Sequence, residues 1–167
     1  MPIIYSIHTG GHFIHAIARS PLTAREFIDY EISHAIDERI KLPVSELLEI
    51  SANALKNITT EDIKRVLIRR IEIDRPPTPH RCAILLDSLD DYNWELAKFY
   101  EGMAMLHSPE RVIVFANAEV AKKWLGFEDF QPGIPDEDNS QYSHIIKKPT
   151  KRKKFYKVTN SRRTRGL

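Results

Sequence analysis

The side chains with the most chemical potential in this chain are seven histidines and a single cysteine, Cys82. His8 and His15 share one face of a predicted hairpin, but His12 points the other way and no carboxylate lies close to them in sequence. A protein zinc site needs three or four ligands, and one cysteine excludes both a disulfide within the chain and a cysteine cluster. Cys82 itself begins an apolar run, which favours a buried, inert thiol. We therefore predict no metal and no cofactor.

Acidic side chains follow a predicted buried strand, where open α/β sheets often bind ligands. These are Asp87, Asp90 and Asp91, and helix capping explains them equally well. His80 and His107 stand at predicted element ends, where surface or capping roles are expected. The sequence contains no glycine-rich phosphate loop, no Gly-x-Ser-x-Gly elbow and no zincin motif. We expect a protein without enzymatic activity.

Length and composition are those of one ordinary globular domain with a tail to spare. The chain has 167 residues, of which 42% are hydrophobic and 29% charged. No apolar run approaches the roughly 18 residues that a membrane helix needs. The N-terminus, MPIIYSIHTGG, lacks the pattern of a signal peptide. We expect a cytoplasmic protein without a membrane span.

The charge is divided unevenly along the chain. Residues 1–130 carry 15 Lys and Arg against 20 Asp and Glu, a net of −5, whereas residues 131–167 carry 10 against 3, a net of +7. The stretch FQPGIPDEDNS between the two parts is typical of a linker. We therefore predict a folded domain over 1–130 and a linker with a basic tail over 131–167, either flexible or docked on the domain.

The tail has the composition of a polyanion-binding segment. Its basic side chains can contact phosphates, and two aromatic rings among them can stack on bases. The candidates are Lys151, Arg152, Lys153, Lys154, Phe155, Tyr156, Arg162 and Arg163. The alternative is that a basic tail beside an acidic domain is simply solvated or folds back on it, adding a short edge strand around Phe155.

The first elements form a hairpin whose two faces differ. Gly10 and Gly11 supply the positive φ angles of a tight turn, which pairs Ile7 with Ile14 and puts six apolar side chains on one face. The other face mixes polar and apolar groups: Ile4, Ser6, His8, Phe13, His15 and Ile17. If helices cover the first face, the apolar part of the second needs a partner, a second copy of the chain, an apolar ligand or the tail. We expect a binding surface there, formed by Ile4, His8, Phe13, His15 and Ile17.

Capping boxes predict the first residues of two helices. Thr23 with Glu26 begins the first helix, whose apolar positions recur from Ile28 through Ile36 to Ile40, and Thr59 with Asp62 begins the second, expected to end near Arg70. A short strand, SELLEIS, lies between them.

The second half alternates apolar runs with helices. RCAILLD and VIVF are unbroken apolar runs, which predict strands buried on both faces. Asp90 or Asp91 caps the third helix, with Leu96, Tyr100, Met103 and Leu106 as its apolar stripe. Asn117 and Gly126 cap the fourth. The order is β-β-α-β-α-β-α-β-α, which predicts an α/β fold with a mixed sheet of about five strands and helices mainly on one face.

Three stretches of the domain resemble the SpoIIAA-like branch of the STAS superfamily. They are HRCAILLD, ELAKFYEGM and, above all, RVIVFANAEVAKKWLG, which is similar to the family's closing strand, acidic cap and short helix ending in Trp-Leu. The resemblance implies a small bacterial α/β domain without enzymatic activity, related to anti-sigma-factor antagonists and more distantly to lipid carriers. It implies a regulatory or binding module whose partner is a protein, a second copy or a small lipid-like ligand.

The phospho-acceptor turn of anti-sigma-factor antagonists has a different sequence in this chain. That family has Asp-Ser-x-Gly, and this chain has ISANALKNITTED. Ser51 and Thr59 are the candidate phosphorylation sites, and Thr59 has the alternative role of a helix cap.

Overall fold

A computed structural model describes residues 3–73 and 80–130, which form one five-stranded mixed sheet in the order β1-β2-β3-β4-β5. β1 is antiparallel to β2, and the other neighbours are parallel. The strands are β1 (Ile3–His8), β2 (Phe13–Ala18), β3 (Val44–Ile50), β4 (His80–Leu86) and β5 (Arg111–Phe115). The helices are α1 (Ala24–Ala35), α2 (Thr60–Ile73), α3 (Asp91–His107) and α4 (Ala118–Leu125). The predicted element order and fold class are confirmed, and no helix among the described residues is long and apolar enough to cross a membrane.

The hairpin has the predicted register but a longer turn. Ile7 pairs with Ile14, and the last pair before the turn is His8 with Phe13, so the turn comprises residues 9–12. Gly10 and Gly11 have φ of 65° and 110°. A Cβ at Gly11 would lie 2.3 Å from the Arg39 carbonyl oxygen, so this position needs glycine for space as well as for its φ.

The predicted caps are present. The Thr23 hydroxyl accepts from the Glu26 N–H while the Glu26 carboxylate accepts from the Thr23 N–H. The same reciprocal bonds join Thr59 to Asp62. The remaining caps are Asp90 on α3, Asn117 on α4 and Gly126, with φ of 81°, at the end of α4.

Two predicted apolar stripes include residues that are exposed in the structure. Ile36 is 66% exposed because α1 ends at Ala35, where the chain turns so that Asp37 can accept from the Tyr5 hydroxyl. Leu106 is 77% exposed because the buried side of α3 passes through Tyr100 to Ala104 instead.

β5 is not buried on both faces as predicted. Val112 and Val114 are buried, but Ile113 and Phe115 are only partly covered. The reason is that β5 lies at the edge of the sheet, and α4 packs mainly over β4 and β3.

The two faces of the sheet carry different amounts of cover. On the first face α1, α2 and α3 bury the main hydrophobic core, which includes Ile14, Leu48 and Ile84. On the second face α4 covers a smaller cluster, formed by Phe13, Leu47, Ala83, Ala121 and Leu125. Three helices against one leave the second face as the part of the sheet that can meet another molecule.

Candidate functional site

The strand register divides the second face into three rows that cross the whole sheet. One row lies near the hairpin turn, one lies in the middle, and the third lies at the carboxyl ends of the parallel strands. The third row, here called the open strip, consists of Ile4, Ile17, Glu49, Leu85 and Phe115, each directly paired with the next. It takes one residue from each of the five strands.

Residues that follow α4 cover the hairpin end of the row near the turn and, in the middle row, His15. Phe127 stacks on Phe13 with ring centroids 4.3 Å apart, and Phe130 meets the rings of His8 and His15 at 5.0 and 5.2 Å. Phe13 and His15 are therefore buried, with 0% and 3% exposure. The prediction that these two residues belong to an accessible binding surface is wrong, because the chain itself supplies their cover.

His15 also has a carboxylate neighbour that sequence spacing did not reveal. Its Nε2 lies 3.0 Å from Oε1 of Glu49, which β3 brings alongside β2. His8 instead makes a 2.7 Å hydrogen bond with the Ser6 hydroxyl, and burial lowers the pKa of its imidazole, with His15 adding to the effect. The two histidines thus have separate polar partners.

Among the described residues the open strip stays partly accessible, although Leu85 and Phe115 pack against the cluster under α4. Ile4 is 45% exposed, and Ile17, Leu85 and Phe115 are all partly exposed. Its one charged side chain, Glu49, is paired with His15 beneath the Phe130 ring. The strip is therefore an apolar band across the sheet with one partnered charge.

A second group of polar residues lies buried on the first face, between the sheet and the helices. We call it the buried charge cluster, and its members come from five elements or their ends. They are Glu31 and His34 on α1, Glu46 on β3, Arg70 on α2, His80 on β4 and Glu110 just before β5. The side chains of all six are 9% exposed or less.

Arg70 is the centre of the cluster. Its guanidinium contacts both Glu31, with Nε 3.4 Å from Oε2, and Glu110, through Nη1. It also donates to the Tyr100 hydroxyl at 2.9 Å and approaches Nδ1 of His80 at 2.9 Å. One cation thus joins α2 to α1, to α3 and to the amino ends of β4 and β5.

Glu46 is the most strongly held carboxylate of the cluster. It accepts a 2.7 Å hydrogen bond from the Tyr30 hydroxyl, and its Oε2 lies 2.9 Å from Nε2 of His80. The His80 N–H is not aimed at that oxygen, so the contact is an ion-pair approach rather than a well-formed hydrogen bond. Burial alone would raise the pKa of Glu46, but His80, His34 and Tyr30 together outweigh it and hold the pKa at about 2.

The other pKa shifts show how the cluster balances its charge. Burial raises the pKa of Glu110 more than Arg70 and His80 lower it. Burial also acts against the charged form of Glu31, but Arg70 and His34 outweigh it and lower the pKa of Glu31. For His34, the carboxylates of Glu31 and Glu46 outweigh burial and the Arg70 charge and raise the pKa. Of the three carboxyl groups, Glu110 is therefore the most readily protonated.

Part of the cluster has the spacing of metal ligands. One ligand atom each from Glu46, Cys82 and Glu110 lies within 4.8 Å of the others. Arg70 already supplies positive charge at Glu110, and burial raises the pKa of the Cys82 thiol well above its usual value, with both carboxylates adding to the shift. The group therefore satisfies its charge within the chain.

The adjoining cavity is too small for a lipid-like ligand. The volume open to the centre of a water molecule is about 20 Å³, which is enough for about one water molecule. Glu46, Arg70 and Tyr100 line its polar end, and apolar side chains such as Phe27 and Leu55 line the rest. The cluster can hold protons and join elements, but the adjoining cavity has no room for a substrate.

The buried charge cluster was not predicted from the sequence, and the predicted position of one of its members is wrong. His80 was expected at the surface or in a cap, and it is 6% exposed. A signal was present: Glu46, His80 and Glu110 lie at or near the amino ends of three successive strands. Because parallel neighbours align these ends, the three side chains had to meet.

The remaining predicted residues have ordinary places where the structure describes them. Cys82 is buried, as predicted, and Asp90 caps α3. The Ser51 hydroxyl donates to the Arg19 carbonyl at 2.8 Å, and Thr59 caps α2, so both belong to the loop between β3 and α2. Phosphorylation of either stays a prediction. The basic tail over 131–167 lies outside the described residues.

Comparison with known proteins gave no match. No family model, no curated protein and no solved structure matches the chain. The class that fold and site define is an α/β domain with a mixed five-stranded sheet and one half-open face.

Proposed function

We propose that this protein is a non-enzymatic binding module of the SpoIIAA-like STAS type, which engages a protein partner or a second copy through the open strip. The observation that carries the proposal is the register itself. It sets four apolar side chains in one row across five strands, and all four stay at least partly exposed although the Trp124 ring of α4 lies 5.7 Å from that of Phe115. They are Ile4, Ile17, Leu85 and Phe115.

The shape of the open strip suits a protein better than a small molecule. Four strand spacings of about 4.8 Å make the row roughly 19 Å wide, comparable to the core of a small protein interface. All five of its side chains come from the sheet itself, whereas small-molecule sites are concave clefts or cavities. The internal cavity, with room for about one water, offers no alternative site for a lipid-like molecule.

The distribution of reactive groups supports a role without catalysis. Glu46 and Arg70, whose pKa values are strongly shifted, are buried and linked to each other through His80. A catalytic group must reach its substrate within hydrogen-bond distance, directly or through one water. On the open strip the only titratable side chain is Glu49, which is paired with His15.

The test is site-specific photo-crosslinking in the cells that make the protein. A photoreactive phenylalanine derivative replaces Ile17, in the middle of the open strip. The matched control carries it at Ile68, which is 60% exposed on α2 and lies on the helical side of the sheet. We expect a discrete crosslinked species, identified by mass spectrometry, from position 17 and not from position 68. Equal or absent crosslinking at the two positions would refute the proposal.

A further inference from the structure

The two edges of the sheet differ in how they treat their unpaired backbone groups. An edge strand presents N–H and C=O groups that can pair with another chain, and proteins usually block this with charges, prolines, bulges or a covering side chain. β5 is blocked in this way. The Glu101 carboxylate accepts the outward Val114 N–H at 2.7 Å, and Arg111 stands exposed at the start of the strand.

Nothing in the described part of the chain protects β1 in this way. Its sequence, IIYSIH, contains no charge at neutral pH and no proline, and it pairs with β2 through all six residues without a bulge. Within residues 3–73 and 80–130, the other elements that β1 contacts are α1 and the turn at residues 9–11, and no side chain hydrogen-bonds its outer backbone. Ile4, at the end of the open strip, is 45% exposed on this edge.

We infer that the partner of this edge is a second copy of the chain, joined β1 to β1 as antiparallel neighbours in one continuous ten-stranded sheet. This inference rests on the proposed function, because the second copy meets the open strip at its Ile4 end.

The composition of β1 favours self-pairing. Two-fold symmetry sets a strand against itself, so a charged strand would oppose like charges, whereas β1 opposes isoleucine, tyrosine and serine. Isoleucine and tyrosine also have high strand propensity. The chain's own tail fits the edge less well, because KKPTKRKKFYKV combines a proline with a dense run of lysine and arginine.

Pairing at β1 also extends the open strip. Ile4 is the end of that row, so two copies joined at β1 place their rows end to end. The exposed Ile4 side chains then come to lie near the two-fold axis and lose contact with water. The dimer gains strand hydrogen bonds and apolar burial together.

The experiment compares variants of the full chain by light scattering and native mass spectrometry over a range of concentrations. Ile4→Lys puts a charge on the edge at an exposed position, Ile4→Val keeps it apolar, and Phe115→Lys charges the far end of the open strip. Ile68→Lys, on the opposite side, is the control, and circular dichroism verifies folding. We expect a wild-type dimer that Ile4→Lys weakens by about tenfold or more, because a lysine would then sit near its own symmetry mate. The other three variants should keep it.

Each other result has a distinct meaning. A dimer dissolved by Phe115→Lys and not by Ile4→Lys overturns the edge inference, yet leaves the open strip as an interface. A wild-type monomer at all concentrations also overturns it, and the crosslinking at position 17 then decides the proposed function alone. Hydrogen exchange of the wild-type protein gives an independent check. The β1 amides should become protected as concentration rises, and unchanged protection would contradict β1 pairing.

Discussion

Replacing Glu46 by glutamine tests whether the buried charge cluster stabilises the fold. Glu46→Gln keeps the shape of the side chain and the oxygen that accepts from Tyr30 at 2.7 Å. It removes the negative charge and places the amide N–H₂ where Oε2 lies 2.9 Å from Nε2 of His80 in the wild-type protein. The change is therefore one of charge in a fixed environment.

The expected magnitude follows from the pKa of this carboxyl group. In the folded protein the surroundings hold it at about 2, compared with an ordinary value of 4.5. Each factor of ten in acid dissociation is worth about 1.4 kcal/mol, so the ionised form is favoured by about 3 kcal/mol in the folded state. Because the pKa is lowered, this stabilisation is present above pH 4.5 and is lost as the pH falls toward 2. Glu46→Gln should therefore cost about 3 kcal/mol at pH 7 and much less near pH 3.

Urea unfolding followed by circular dichroism at both pH values measures this difference. The matched control is Glu49→Gln on the same strand but the opposite face, where the carboxylate is 31% exposed and pairs with His15. A partly exposed pair of this kind is worth at most about 1 kcal/mol. If Glu46→Gln cost no more than Glu49→Gln at pH 7, or cost the same at both pH values, the cluster would not stabilise the folded state as an ionised network.

Two further predictions concern the same pH range and the tail. The wild-type protein should be less stable below about pH 4.5, because the lowered pKa values of Glu46 and Glu31 withdraw stability there, and less stable above about pH 6.5, because the raised pKa of His34 withdraws it there. The raised pKa of Glu110 already withdraws some stability as the pH rises above 4.5. Thermal melts from pH 3 to 9 measure the maximum, and a plateau extending to pH 9 would contradict the assignment. Deleting 131–167, which carries 10 of the 25 Lys and Arg, should abolish salt-dependent binding to single-stranded DNA without changing the melting temperature or the oligomeric state. A lower melting temperature would instead indicate a docked tail.

Local sequence patterns predicted the parts of the fold that depend on neighbours in the chain. Thr23 and Thr59 could be assigned because a capping box needs only residues three apart, and the hairpin register followed from period-two alternation. The apolar stripe that reached Leu106 failed for a long-range reason. Whether the last turn of α3 is buried depends on where the sheet ends, which no local spacing contains.

The buried charge cluster could not be recognised from local patterns because its residues imitate surface residues. Glu46 stands in SELLEIS, where Glu49 has the same type but faces the open side. Both flank leucines, so alternation alone cannot decide which glutamate is inside. His80 and Glu110 lie at strand ends, where polar residues are normally solvated. Their burial depends on Arg70 from α2, which supplies the charge that makes it possible.

The arrangement separates what stabilises this protein from what can bind. The cluster lies on the first face toward the amino ends of β3 and β4, and the open strip lies on the second face near their carboxyl ends. Substitutions in the two places share no described contact, so their effects on unfolding free energy and on association should add. The charge cluster is buried, and four of the five side chains of the open strip are apolar. That division is what a binding module requires, because its surface can change with its partner while the core that holds the sheet remains the same.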